Sequence, residues 1–176
     1  MIRIILLPIV VSLILAGCAS DGGVAENKAK RAAEINAQLG VEYMRQERYE
    51  VAKSKFEKAL RQDPDNANVY HYMAELYRRL DEFDIAQSYF EKAMDKDSEN
   101  SALLNNYGVF LCDRKQYAKA IDNFEKVLKN PVYQRKDLVY ENMGVCQLRQ
   151  GNLFLAEKHL NKAYTTNPRL PVTALN

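Results

Sequence analysis

Residues 33–64, AEINAQLGVEYMRQERYEVAKSKFEKALRQDP, decide the fold. With Ala33 as the first position, Asn36, Leu39, Gly40 and Tyr43 fall at positions 4, 7, 8 and 11, and Tyr49, Ala52, Phe56, Ala59 and Pro64 at 17, 20, 24, 27 and 32. Positions 4, 7, 8 and 11 share one face of a first helix, while 20, 24 and 27 form the facing stripe of a second. Small residues at 8 and 20 let the two backbones approach. Large residues at 4, 11, 17 and 24 fill the space toward the next pair, and the proline at 32 ends the second helix.

The pattern recurs outward from this unit. A shift of 34 residues sets Tyr70, Met73, Ala74, Tyr77, Phe83, Ala86, Phe90 and Ala93 at the same positions, with Ser98 in place of the proline. A further 34 residues give Leu104, Tyr107, Gly108, Leu111, Tyr117, Ala120, Phe124 and Val127. The fourth unit starts at Asp137, 36 residues on, with Tyr140, Met143, Gly144, Leu153, Ala156, Leu160, Ala163 and Pro168; Gln147 departs from the pattern at position 11. Such a period marks a repeat array. The four units resemble tetratricopeptide repeats (TPRs), which implies an all-α solenoid of antiparallel helix pairs in a right-handed superhelix. The units are read as residues 33–66, 67–100, 101–136 and 137–170, and residues 171–176 as the start of a fifth. The two extra residues before unit four fall in Asn130–Arg135, read as a tolerated longer loop.

Composition agrees with helix. The chain of 176 residues is 47% apolar and 27% charged, and its seven glycines and five prolines leave little material for tight-turned β structure. Its 25 basic side chains stand against 23 acidic ones without a basic block, which argues against a nucleic-acid partner.

Upstream of the repeats, Ile4–Ala16 is apolar, follows Arg3 and is too short to span a bilayer, so it reads as a signal-peptide core. Leu15-Ala16-Gly17-Cys18 resembles a bacterial lipobox; the alternative is an ordinary signal peptide with a chance cysteine. The resemblance implies removal of residues 1–17, acylation of Cys18 and membrane attachment through two or more acyl chains. Ala19 would be the second mature residue rather than the Asp that signals inner-membrane retention, which points to the periplasmic face of the outer membrane. Residues 18–32 read as a tether, with Ser20-Asp21-Gly22-Gly23 polar and flexible, that passes into helix from about Glu26.

Little here suggests catalysis. The only histidines, His71 and His159, lie in different units and at no metal-ligand spacing, and there is no phosphate loop or nucleophile motif. The chain is read as a non-enzyme without cofactor or metal. Cys112 and Cys146 remain as an even pair at position 12 of unit three and position 10 of unit four, both on first helices. In an oxidising compartment they are read as a disulfide that closes about 35 residues and adds roughly 3–4 kcal/mol. The alternative is two buried thiols.

TPR arrays bind partners on the surface formed by first-helix positions 2, 5, 6, 9, 12 and 13. Here that surface offers His71, Tyr72 and Arg78 toward the N-terminus, and Asn105, Asn106, Val109, Leu138, Asn142, Val145 and Leu148 toward the C-terminus. Asn106 and Asn142 share one position in successive units, where an amide can donate to and accept from an extended peptide, with Val109, Leu138, Val145 and Leu148 as apolar pockets beside them. Packing between units is the competing role for Val and Leu at these positions. The basic residues of carboxylate-clamp TPRs do not recur at the corresponding places.

The lipobox, short tether, repeat array, the segment LNNYGVFLC at 104–112 and the second cysteine Cys146 together resemble the type IV pilus biogenesis and stability lipoproteins, the PilF/PilW family. The resemblance covers essentially the whole chain. It implies an outer-membrane lipoprotein that acts as a pilotin, helping the pilus secretin reach or assemble its ring. Members of that family carry more repeats than the four read here. A TPR lipoprotein that docks peptidoglycan hydrolases or synthases is the alternative.

Overall fold

The computed structural model describes residues 21–168, which form eight helices. The helices are α1 (Asp21–Arg45), α2 (Tyr49–Gln62), α3 (Ala67–Arg79), α4 (Phe83–Lys96), α5 (Ser101–Asp113), α6 (Tyr117–Lys129), α7 (Lys136–Gln150) and α8 (Leu153–Thr166). Signal peptide, Cys18 and the start of a fifth repeat lie outside the described residues. Asp21, Gly22 and Gly23 correct the expected tether, because they already belong to α1. The cause lies downstream, where an Ala- and Lys-rich run with a Glu26–Lys30 ion pair one turn apart extends the helix of unit one backward.

Each odd-numbered helix packs on the even-numbered one that follows it, and the pairs stack in chain order. First helices of successive units touch one another, α1 on α3, α3 on α5 and α5 on α7, whereas the second helices do not. The first helices therefore line the inner side of the stack. This is the all-α TPR solenoid that the period implied.

The spacing rule is visible as geometry. Phe56, Phe90 and Phe124, all at position 24, are fully buried. Phe56 lies against Tyr72 of the next unit at 5.8 Å between ring centres, and Phe90 against Tyr107 and Phe110, both at 5.1 Å. The requirement for a small residue at position 8 has the same origin. A β-carbon added at Gly40 would run into the Phe56 ring, and one at Gly108 would lie 2.6 Å from Phe124.

Asn66 and Asn100, the last residues of units one and two, cap the following helices by accepting from Val69 N and from Ala102 and Leu103 N. The longer loop before α7 puts Arg135 at its cap without a side-chain bond. Asp137 fixes this junction instead. Its carboxylate accepts from Arg135 Nε at 3.3 Å and from Asn167 Nδ2 at 2.9 Å. Burial disfavours the charge, but these bonds and the Leu138 N–H outweigh it and hold the carboxyl below its ordinary value.

Candidate functional site

On the inner side, α3, α5 and α7 are joined by a row of amides that ends on an imidazole. Asn142 Nδ2 donates to Asn105 Oδ1 at 3.1 Å, Asn105 Nδ2 to Asn106 Oδ1 at 3.3 Å, and Asn106 Nδ2 to His71 Nε2 at 3.0 Å. Each amide bond points the same way along the stack. Burial pushes the His71 imidazole below its ordinary value against the pull of Glu75, so the ring stays neutral and accepts. The ring stacks beside Tyr72 at 5.7 Å and lies 6.0 Å from Phe90.

A second row, of alternating charge, runs beside the first. Glu75 takes both Nε and Nη2 of Arg78, at 3.2 and 2.9 Å. Arg78 also faces Asp113 at 4.0 Å, and Asp113 pairs with Arg149. Asp113 and Arg149 both hold position 13 of their units, so the inner side largely neutralises its own charge.

Not every expected residue faces an open groove. His71 and Asn105 are buried, 5% and 6% exposed, because position 5 turns toward the neighbouring first helix and its polar atoms are used between units. Tyr72, Arg78, Asn106, Val109, Leu138, Asn142 and Val145 are half-buried, and Leu148 is exposed. Asn106 spends its oxygen and one N–H inside the row, which leaves one N–H for a ligand, whereas Asn142 spends only one N–H. Asn142 is thus the better-placed amide for an extended peptide, with Val145 and Leu148 on the same helix.

Cys112 and Cys146 meet as a disulfide between α5 and α7, with 5.7 Å between their α-carbons. Cys146 occupies position 10, where units two and three bury Leu76 and Phe110. At the junction of units three and four a covalent bond thus stands where the earlier junctions have a large side chain. Among the described residues no group of three or more His, Cys, Asp or Glu is placed to hold a metal ion, and no helix is long and apolar enough to cross a membrane.

Comparison with known proteins follows the same units. A tetratricopeptide-repeat family model matches residues 28–66, and a model of YpiA-like, C-terminal tetratricopeptide repeats matches residues 67–131. The type IV pilus assembly protein PilF of Pseudomonas aeruginosa is 29% identical over 165 residues, covering 92% of this chain and 66% of that protein. A solved structure of Pseudomonas aeruginosa PilF superposes with a TM-score of 0.76 at 29% identity, over 80% of this chain and 64% of its own. The crystal structure of PilW, a widely conserved type IV pilus biogenesis factor, gives 35% identity and a TM-score of 0.76 over 79% of this chain and 64% of its own. The chain thus spans just under two thirds of the length of these relatives. It is a tetratricopeptide-repeat protein homologous to PilF and PilW.

Proposed function

We propose that this chain is a lipid-anchored scaffold for type IV pilus biogenesis, held by acylated Cys18 on the periplasmic face of the outer membrane. Its inner groove binds a segment of the pilus secretin and promotes that protein's localisation or multimerisation, as a pilotin does. It works by binding and not by catalysis. The observation that carries this reading is the match to PilF over 92% of the chain, across the same helix pairs that build the groove.

The groove chemistry supports an extended, largely uncharged segment. The row Glu75–Arg78–Asp113–Arg149 leaves little net charge to attract an acidic tail, while Asn142 has amide capacity to spare beside Val145 and Leu148. Main-chain bonds to the amide would fix the strand and the apolar side chains would choose its residues.

Deleting the gene and measuring secretin multimers in outer-membrane fractions tests the reading. Multimers are expected to fall and to return with the wild-type gene but not with Leu148→Asp. That variant changes an exposed position and leaves the core intact. Unchanged multimers in the deletion strain would defeat the proposal. Co-purification of peptidoglycan hydrolases or synthases in place of the secretin would favour an adaptor for cell-wall enzymes.

A further inference from the structure

One face of α1 is bare. The helix buries Ala33, Asn36, Ala37, Gly40 and Met44, and on the opposite side, at the helical spacing of three and four, run Val24, Lys28, Arg31, Ile35 and Leu39, all exposed. Val24, Ile35 and Leu39 are 68%, 53% and 42% exposed. Ile35 and Leu39 hold positions 3 and 7, where units two and four have Val69 with Met73 and Val139 with Met143, all buried, and unit three has buried Leu103 with half-buried Tyr107. A packing face therefore stands uncovered among the described residues, and it differs from its counterparts in carrying two cations.

Those cations lie in the part of the helix that is extra to the repeat. α1 has 25 residues, against 13 to 15 in the other first helices, and Val24, Lys28 and Arg31 all precede unit one. Neither Lys28 nor Arg31 makes an ion pair among the described residues, while Lys30, turned away from the stripe, is taken by Glu26. Two acids of α1 fall in line with the stripe, Asp21 at its start and Glu42 at its far end, where Glu42 pairs with Arg45. Both cations of the stripe, Lys28 and Arg31, lie in its N-terminal half. Asp21 is three residue steps from Cys18 in sequence, a span of at most about 11 Å.

We propose that this face of α1 lies on a bilayer surface that contains anionic phospholipid. Val24, Ile35 and Leu39 enter the headgroup boundary, and Lys28 and Arg31 pair with lipid phosphates. The inference rests on acylation of Cys18, as does the proposed function. An acyl anchor that holds the start of the helix within about 11 Å of the surface raises the local concentration of lipid, so that a stripe too weak to bind alone is sufficient. The solenoid then stands on its N-terminal flank, with units three and four and their amides farthest from the membrane.

The chain contains no tryptophan, which gives the test a clean reporter. Full-length acylated protein carrying Ile35→Trp is reconstituted into phosphatidylcholine vesicles with and without phosphatidylglycerol. The expected result is a blue-shifted emission, quenched by bromine-labelled acyl chains, in the anionic vesicles. Phe154→Trp, at the other end of the array, stays red-shifted and unquenched. Adding Lys28→Glu and Arg31→Glu to Ile35→Trp abolishes the quenching while the anchor keeps the protein on the vesicles. Leu39→Trp repeats the measurement should Ile35→Trp disturb folding.

Emission that remains unquenched in anionic vesicles for both acylated variants, Ile35→Trp and Leu39→Trp, would overturn this inference alone. A blue shift that appears in vesicle-free solution with a doubling of mass would assign the face to a second copy and overturn it too. Mass spectrometry that finds no acyl chains on Cys18 would remove the anchor, and this inference with it.

Discussion

Asn106 on α5 and His71 on α3 are joined by one hydrogen bond, 3.0 Å from amide nitrogen to ring Nε2. An amide nitrogen donates and does not accept, so the ring accepts at Nε2 and carries its proton on Nδ1. Protonation would set two donors against each other inside a buried contact between units.

The pH dependence follows from that bond. His71 is held below its ordinary value by burial, opposed by Glu75, and His159 is lowered by burial and Lys158, opposed by Glu125. Below the unfolded value of 6.5 the unfolded chain binds protons that the native state refuses. Stability is therefore full above that pH and is lost as pH falls through it toward the folded value, by at most about 1.4 kcal/mol per pH unit for one group. Thermal unfolding between pH 5 and 8 is expected to show the midpoint dropping at the acid end, and His71→Gln, which keeps an acceptor, to reduce the slope. An unchanged slope in that variant would clear His71.

The disulfide is tested by thiol titration of denatured, unreduced protein, which is expected to find neither Cys112 nor Cys146 free. Replacing both by Ala should lower the unfolding free energy by roughly 3–4 kcal/mol. Two titratable thiols would show that the pair is not bonded in the cell.

Gly108 sits where a β-carbon would come within 2.6 Å of the Phe124 ring, a fully buried side chain with nowhere to retreat. Ala gains about 1 kcal/mol of helix propensity over Gly. Overpacking costs about 1–3 kcal/mol, so Gly108→Ala is expected to destabilise on balance, and Phe124→Leu in the same chain to recover part of the loss. Denaturant midpoints of the wild type and the two variants decide it.

The turns between paired helices place Glu47, Asp81 and Lys115 at φ near 60°, a left-handed conformation that unit four assigns to Gly151. An L side chain costs about 1–2 kcal/mol there, partly offset by the greater unfolded freedom of glycine. Lys115→Gly is expected to raise the denaturant midpoint by an amount worth up to about 1 kcal/mol at unchanged m-value, and Gly151→Ala to lower it.

What the sequence makes legible is what recurs every 34 residues. Gly40 against Phe56 and Gly108 against Phe124 repeat one contact, so the spacing alone betrays it. The disulfide is readable because cysteines are few and their unit positions put them on neighbouring first helices. The amide row is not. Asn105, Asn106, Asn142 and His71 look like groove residues by position, but whether a short amide faces solvent or its neighbour depends on side-chain torsions that no period encodes. The pairing of Asp113 with Arg149 escapes for a related reason, since two charges at the same position of adjacent units attract or merely coexist according to the distance between the helices. The start of α1 misleads because Asp21-Gly22-Gly23 is a weak helix former alone, and the chain downstream decides its state.

The bonds across the inner side are unevenly shared. α5 and α7 are tied by the Cys112–Cys146 disulfide, the Asn142–Asn105 bond and the Asp113–Arg149 pair, and α3 and α5 by Asn106–His71 and Arg78–Asp113. Between α1 and α3, among the described residues, no hydrogen bond or ion pair crosses, and a shallow hollow lined by Glu34, Gln38, Asn68 and Tyr72 opens there instead. As a spring, this solenoid has a clamped coil at one end and a soft one at the other. A partner that tightened or relaxed its curvature would meet least resistance beside α1, so strain applied at the far groove would be absorbed at the opposite end of the stack.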